Sequence, residues 1–234
     1  MNLEQENFKN PNEIYWDVHT NGIEKRKPSV TRPTPVDREV LIEEGQVLLS
    51  ITDTKGVIEY CNEAFVETSG YEEYELAGSG HNIVRHPDMP RVVFKLMWNR
   101  IQNKENIIAV VKNLAKTGRY YWVITDFVIK EDNEGNIIGY KAFRKPAPRK
   151  AIEAVIPLYK KLREIEKARG MEAADKFLFG YFEGENTNYD DFIENLIIDN
   201  LKKEVIQENT SEQEAVKPKT KEEKKSFFKR LFGN

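Results

Sequence analysis

Two of the chain's three histidines fall within ten residues, HNIVRHPDMP at positions 81–90, beside Arg85 and Asp88. The residue types allow several chemistries, and the spacing removes most of them. His81 and His86 are five apart, off the i,i+4 step that offers two imidazoles to zinc from one helix face, and no thiol or acid cluster joins them. No metal site is expected. Haem needs a single axial histidine and stays open as an alternative. The chain has no serine elbow, no paired-carboxylate signature and no phosphate-cradling glycine loop, so no enzyme activity is expected.

A purely local reading also exists, in which Arg85 pairs with Asp88 and Asp88 caps a helix. Four other residues weigh against it. Asn62, Phe94, Trp98 and Asn113 are amides and aromatics on segments that must surround the loop. Aromatic planes, amide edges and an arginine suit a flat heterocycle carrying a phosphate.

The segments that position these residues follow from hydrophobic pattern. VLLSITD and VIEYC flank the turn TKG and read as a hairpin. Asn62 starts a short helical piece stopped by Gly70, and YEEYELAG forms another short helical turn. The histidine loop follows. Asp88 is expected to cap a helix with Pro90 in its first turn, and Val92, Val93, Leu96, Met97 and Ile101 fall at helical spacing. Phe94 and Trp98 form an i,i+4 pair on a neighbouring face. Three strands come next, NIIAVVKNLA, YYWVITDFVIKE and IIGYKAFRK, joined by two glycine-containing turns. The order predicts an α+β fold with an antiparallel sheet and short helices on one face.

From residue 150 the pattern is helical. Ile152, Val155, Tyr159 and Leu162 step by three, four and three, and Pro157 must bend the helix or sit in a break. MEAADKFLFGYF is a second helix, and a third starts at Asn188 as cap. The expected organisation is an extended lead-in at 1–45, a domain at 46–149, a helical extension at 150–207 and a disordered basic tail at 208–234 that ends in a short amphipathic segment. The apolar residues of 14–18 are the exception in the lead-in.

Composition bounds the setting. The net charge is -3 and no nucleic-acid partner is implied. Residues 171–215 carry 12 acids against 3 bases, whereas 216–230 carry 7 bases against 2 acids. The single cysteine, Cys61, excludes an intrachain disulfide and suits a reducing compartment. The start of the chain lacks a signal-peptide pattern, and no apolar run approaches the roughly 20 residues of a membrane span. A cytoplasmic protein is expected. The terminal KKSFFKRLFGN, with Phe227, Phe228, Leu231 and Phe232 on one helical face, predicts weak peripheral contact with the inner face of the membrane or with a protein groove.

The words TDTKGVIEYCNEAFVETSGY, NIVRHPDMP, VKN, TGRYYWV and GYKAFR, in this order over residues 47–149, resemble a PAS sensory domain of the aerotaxis-receptor type. The resemblance implies a five-stranded antiparallel sheet, a ligand cleft between sheet and helices, and FAD held non-covalently. The family's cofactor positions fall here on Asn62, Arg85, His86, Asp88, Phe94, Trp98 and Asn113. Three positions depart from the pattern: Ile107 replaces a tryptophan, Ala109 a glycine and Leu114 an arginine. An empty pocket and haem are therefore kept as alternatives. The implied function is redox or energy sensing passed to a protein partner such as a membrane chemoreceptor, with a homodimer also open. The contrasting reading is a cofactor-free interaction or dimerisation scaffold.

Overall fold

The period-two alternation of YYWVITDF sorts its side chains to two faces, and this sorting organises the molecule. The computed structural model describes residues 32–198. Most of the lead-in, including 14–18, and the basic tail lie outside the described residues.

The elements run β1 (Leu48–Thr52), β2 (Ile58–Cys61), α1 (Glu63–Ser69), α2 (Glu73–Leu76), a 3-10 turn (His81–Val84), α3 (Arg91–Gln102), β3 (Ala109–Leu114), β4 (Tyr120–Glu131), β5 (Ile137–Pro146) and α4 (Arg149–Gly184). Residues 189–198 are helical and are labelled α5. The five strands make one sheet in the order β2-β1-β5-β4-β3, with every pairing antiparallel.

One face of this sheet is inward. Tyr121, Val123 and Thr125 of β4 are buried on it, as are Leu48 and Ser50 of β1. The register sets Asn113 beside Tyr121 and Arg144 beside both Thr125 and Leu48. Phe65 from α1, Val84 from the 3-10 turn, and Val92 and Val93 from α3 join the same core. Each large apolar side chain fully buried there contributes about 1.5–3 kcal/mol. α4 packs against α3 and the edge strand β3. It also reaches the opposite face, where Tyr159 and Arg163 meet Lys112, Tyr120 and Trp122 around a cavity of about 580 Å³. The Tyr159 hydroxyl donates to the Val110 carbonyl of β3 at 2.8 Å.

Four local details refine the sequence reading. The loop after α2 closes as a 3-10 turn over residues 81–84. Pro90 is the N-cap of α3, not part of its first turn, and no side chain of the cap residue bonds the helix. Asp88 does not cap it either, because Lys112 takes its carboxylate at 2.7 Å. The orphan Val92 N–H is accepted instead by Glu166 Oε1 of α4 at 2.8 Å. Pro157 is carried inside α4, and the break falls at Gly170, with φ 81° and ψ 175°. Glycine reaches that backbone conformation without a Cβ clash. Asn188 caps α5 by accepting from the Asp191 N–H at 2.9 Å.

Candidate functional site

The loop from Arg85 to Asp88 is held against β3 by a backbone bridge between Arg85 and Asn113. The Arg85 guanidinium lies 4.1 Å above the centre of the Phe94 ring, a cation–π contact, and makes no pair with Asp88. Burial lowers its pKa to about 10, helped by the neighbouring charge of Arg32, which donates to the Arg85 carbonyl. One turn along α3, Trp98 meets Tyr140 edge-to-face at 5.6 Å. Its ring fills the space where a Cβ on Gly56 would stand, at 2.8 Å, and Gly56 also has φ +79°, so the TKG turn needs its glycine twice over.

His86 is 3% exposed and meets Tyr120 edge-on. Its Nδ1 accepts the Asp88 N–H at 3.1 Å, which requires that nitrogen to be unprotonated. Burial, reinforced by Lys112, pushes the His86 pKa down to about 4. Burial alone would raise the Asp88 carboxyl, but the Lys112 hydrogen bond and charge hold it below the usual range. His86 and Asp88 therefore form one polar group with Lys112, and Asp88 and Lys112 line the α4 cavity on the outward side of β3.

Asn62 is committed to the backbone. Its Oδ1 accepts from Leu49 N at 2.9 Å and Phe65 N at 3.1 Å, and its Nδ2 donates to the Val47 carbonyl at 2.8 Å. It caps α1 and ties that helix to β1. Asn113 differs. It is 3% exposed and its Nδ2 has no hydrogen-bond partner among the described residues. The seven sequence candidates thus divide into an Arg85–Phe94–Trp98 wall, an inward amide at Asn113, an outward pair at His86 and Asp88, and a structural stitch at Asn62.

Sequence reasoning missed the interior. Arg144 is 4% exposed on the inward face. It donates to Ser50 Oγ at 2.8 Å, the Ala142 carbonyl at 3.2 Å and His81 Nε2 at 2.9 Å. His81 also meets Phe65 edge-on at 5.7 Å. Tyr71 Oη, Tyr121 Oη and Thr125 Oγ1 are buried without partners among the described residues, like Asn113 Nδ2. A buried donor left unpaired costs about 1–3 kcal/mol, so four of them in one core are a chemical signal. The alternation of GYKAFR carried it: Tyr140, Ala142 and Arg144 share parity, and a cation at an inward position needs a reason. Cys61 is buried, and burial pushes its thiol up to about 12, so it is not a poised nucleophile.

Residues 58–144 match the family model described as the PAS fold. The chain carries a PAS domain. This PAS domain is similar to that of the aerotaxis receptor of Escherichia coli (strain K12), with 39% identity over 132 residues, covering 56% of this chain and 26% of the relative. It is also 25% identical over 105 residues to a nitrogen fixation regulatory protein of Klebsiella pneumoniae, covering 45% and 21% of the two chains. The chain thus spans about a quarter of the curated relatives it matches. Among solved structures, a light-oxygen-voltage domain from a flavin-analogue study matches with TM-score 0.44 and 19% identity, covering 50% of this chain and 88% of that one. The PAS domain of the fruit-fly ELK potassium channel matches with TM-score 0.39 and 19% identity, covering 42% and 85%. The fold is the one the sequence resemblance implied, a five-stranded antiparallel sheet with helices against it and a helical C-terminal part. The relatives are named as a receptor and a regulatory protein.

Proposed function

We propose that this PAS domain binds FAD between the inward sheet face and α3, and reports cellular redox or energy state to a protein partner. The observation that carries the reading is the buried Asn113 amide, unpaired among the described residues, in a chain 39% identical over 132 residues to an aerotaxis receptor. A flavin ring has carbonyl and ring-nitrogen acceptors along one edge, so the donor chemistry of this interior fits it. When bound, the flavin supplies a charge and hydrogen-bonding edge that change with oxidation state.

The chain's own residues supply the rest. Arg85 offers a guanidinium to a phosphate, Phe94 and Trp98 offer aromatic surface, and Asn113 donates to the ring edge. His86 and Asp88 set the loop through Lys112, and Asn62 fixes the start of α1. β3 is the route outward. It carries Asn113 on the inward face and is bonded by Tyr159 of α4 at Val110, three residues away. A changed pull on Asn113 biases the seating of α4, so two populations exchange in response to the ligand. The division into a sensing part at 46–149 and an output extension at 150–207 belongs to this reading. So do the protein partner, a membrane chemoreceptor, the homodimer and the cytoplasmic setting. Among the described residues no helix is long and apolar enough to cross a membrane. The tail at 208–234 then provides weak contact with anionic lipid. Co-sedimentation with anionic vesicles, comparing the full chain with one ending at Thr220, tests that contact.

The deciding experiment is an absorption spectrum of the freshly purified full chain, followed by extraction of the chromophore and its mass. Flavin bands with the mass of FAD are expected. A protein that is colourless and stays so after incubation with FAD overturns the reading in favour of the scaffold, and a Soret band overturns it in favour of haem.

A further inference from the structure

The helices that follow the PAS domain are acidic and leave aromatic surface uncovered. Residues 171–198 carry seven acids against one base, Lys176. Three of the acids are paired: Glu172 with Lys176, Asp175 with Lys95 and Asp190 with Arg100. Glu183, Glu185, Asp191 and Glu194 are exposed and make no ion pair among the described residues.

The rings of Phe177, Tyr181, Phe182 and Phe192 touch in succession, at centroid distances of 6.3, 5.1 and 5.4 Å, across the junction of α4 with α5. Phe182 is buried, but Tyr181 is 39% exposed and Phe177 and Phe192 are only partly buried. Apolar residues scattered singly over a surface need no explanation. Contiguous rings bordered by charge of one sign mark a place for a partner.

The chain carries a segment of matching chemistry. Residues 224–232, KKSFFKRLF, hold four bases and no acid, with Phe227, Phe228, Leu231 and Phe232 at i, i+1, i+4 and i+5. Four cations answer four unpaired carboxylates, and one apolar face answers another. The described chain ends at Ile198, on α5 itself, and 25 residues separate that point from Lys224. At about 3.3 Å per residue they can span far more than the roughly 15 Å length of α5. The segment can therefore return to the helices it leaves. Tethering holds it at roughly millimolar local concentration, where weak contacts suffice for docking.

We propose that the junction of α4 and α5 is an intramolecular docking surface for the chain's own basic aromatic segment, residues 224–232. The four carboxylates attract its lysines and arginine, and its phenylalanines and leucine cover the exposed rings. The same apolar side chains would enter lipid, so docking and membrane contact exclude each other. The acidic junction thereby decides whether the segment is available. The inference needs no flavin and stands or falls apart from the sensory reading.

The test is made on the full chain. Gly233→Cys takes a spin label beside the segment, and the native Cys61 is buried, with its thiol pushed up to about 12, so it does not compete for the label. Amide resonances of residues 181–194 are expected to be attenuated by the label at least threefold more than those of β2, at the far edge of the sheet. Joint Glu183→Gln, Glu185→Gln, Asp191→Asn and Glu194→Gln is expected to remove the difference. So is joint Phe228→Ser and Leu231→Ser, which leaves every described residue in place. Attenuation that is absent or evenly spread, or that persists in either folded variant, overturns the inference. A mixture of spin-labelled unenriched protein with unlabelled enriched protein gives the last outcome. Equal attenuation there means that a second copy holds the segment, and it overturns docking within one chain.

Discussion

Glu166 on α4 accepts the backbone N–H of Val92 at 2.8 Å, so the first turn of α3 is capped by the helix that follows the sensory sheet. A helix N-terminus usually finds its acceptor in its own cap residue. Here the cap residue is Pro90, and the acceptor lies 74 residues beyond Val92. α3 also carries Phe94 and Trp98, so a shift of these rings and a shift of α4 are mechanically joined through this hydrogen bond and the Lys95–Asp175 ion pair.

Glu166→Ala removes that bond. The expected loss of unfolding free energy is about 1 kcal/mol, the usual value of a lost cap. Glu166→Gln keeps an acceptor and should lose less. Urea denaturation followed by circular dichroism measures both. Hydrogen exchange at the first turn of α3 should rise in Glu166→Ala with the β-sheet amides unchanged. Equal stability and exchange in the two proteins would mean that the contact carries no coupling.

Arg85→Ala and Trp98→Ala separate ligand loss from fold loss. Each contact with a bound flavin is worth roughly 1–3 kcal/mol, enough to empty a site of micromolar affinity during purification. Both variants should be folded and pale. Asn62→Ala is the contrast, because it frees Leu49 N, Phe65 N and the Val47 carbonyl at once. It is expected to lower stability by about 2 kcal/mol even without ligand. Denaturation midpoints measured beside flavin content distinguish the two classes.

Leu114 and Ile107 are departures from the aerotaxis pattern, and restoring the family residues looks from sequence like a route to tighter FAD binding. The structure changes that expectation. Leu114 is fully buried and Ile107 is 3% exposed. The register places Asn113 inward, so Leu114 points to the opposite face. Leu114→Arg puts a cation into an apolar contact and is expected to cost about 3 kcal/mol or more. Ile107→Trp overpacks the core by about 1–3 kcal/mol. Thermal melts of the two variants check this, and a Leu114→Arg protein as stable as the parent would place residue 114 in solvent.

The strands, the hairpin turns, the start of α1 and the helical seam of α4 were legible because each rests on local periodicity or a single turn residue. Tyr121, Val123 and Thr125 announce their common face by spacing alone. The cap of α3 was not legible, since Glu166 is remote in sequence and Asp88 looks like the better cap until Lys112 is placed beside it. The site was half legible. Arg85, Phe94 and Trp98 stand out as residue types near one loop, whereas the roles of Arg144, Ser50 and His81 appear only when three distant segments meet. Their one sequence signal is parity, a charged residue at an inward strand position.

His86 makes stability depend on pH in a direction that its burial fixes. Its folded pKa is about 4, against 6.5 for the unperturbed group. Between those values the unfolded chain holds a proton that the native protein refuses, so unfolding takes up a proton and stability rises with pH. The contribution is complete above about pH 6.5 and is lost progressively as the pH falls towards 4. His81, also depressed by burial, acts in the same direction. Asp88 acts lower, because its carboxyl is held below the usual range by Lys112, and its share is lost only as the pH falls further. The His86 part is on the order of 1–3 kcal/mol. Urea midpoints at pH 7, 5.5 and 4.5 should fall in that order. His86→Gln cannot titrate and should flatten the slope without abolishing it, since His81 remains. A variant with the parent's full slope would show that His86 is protonated in the native protein, and that its Nδ1 does not accept the Asp88 N–H.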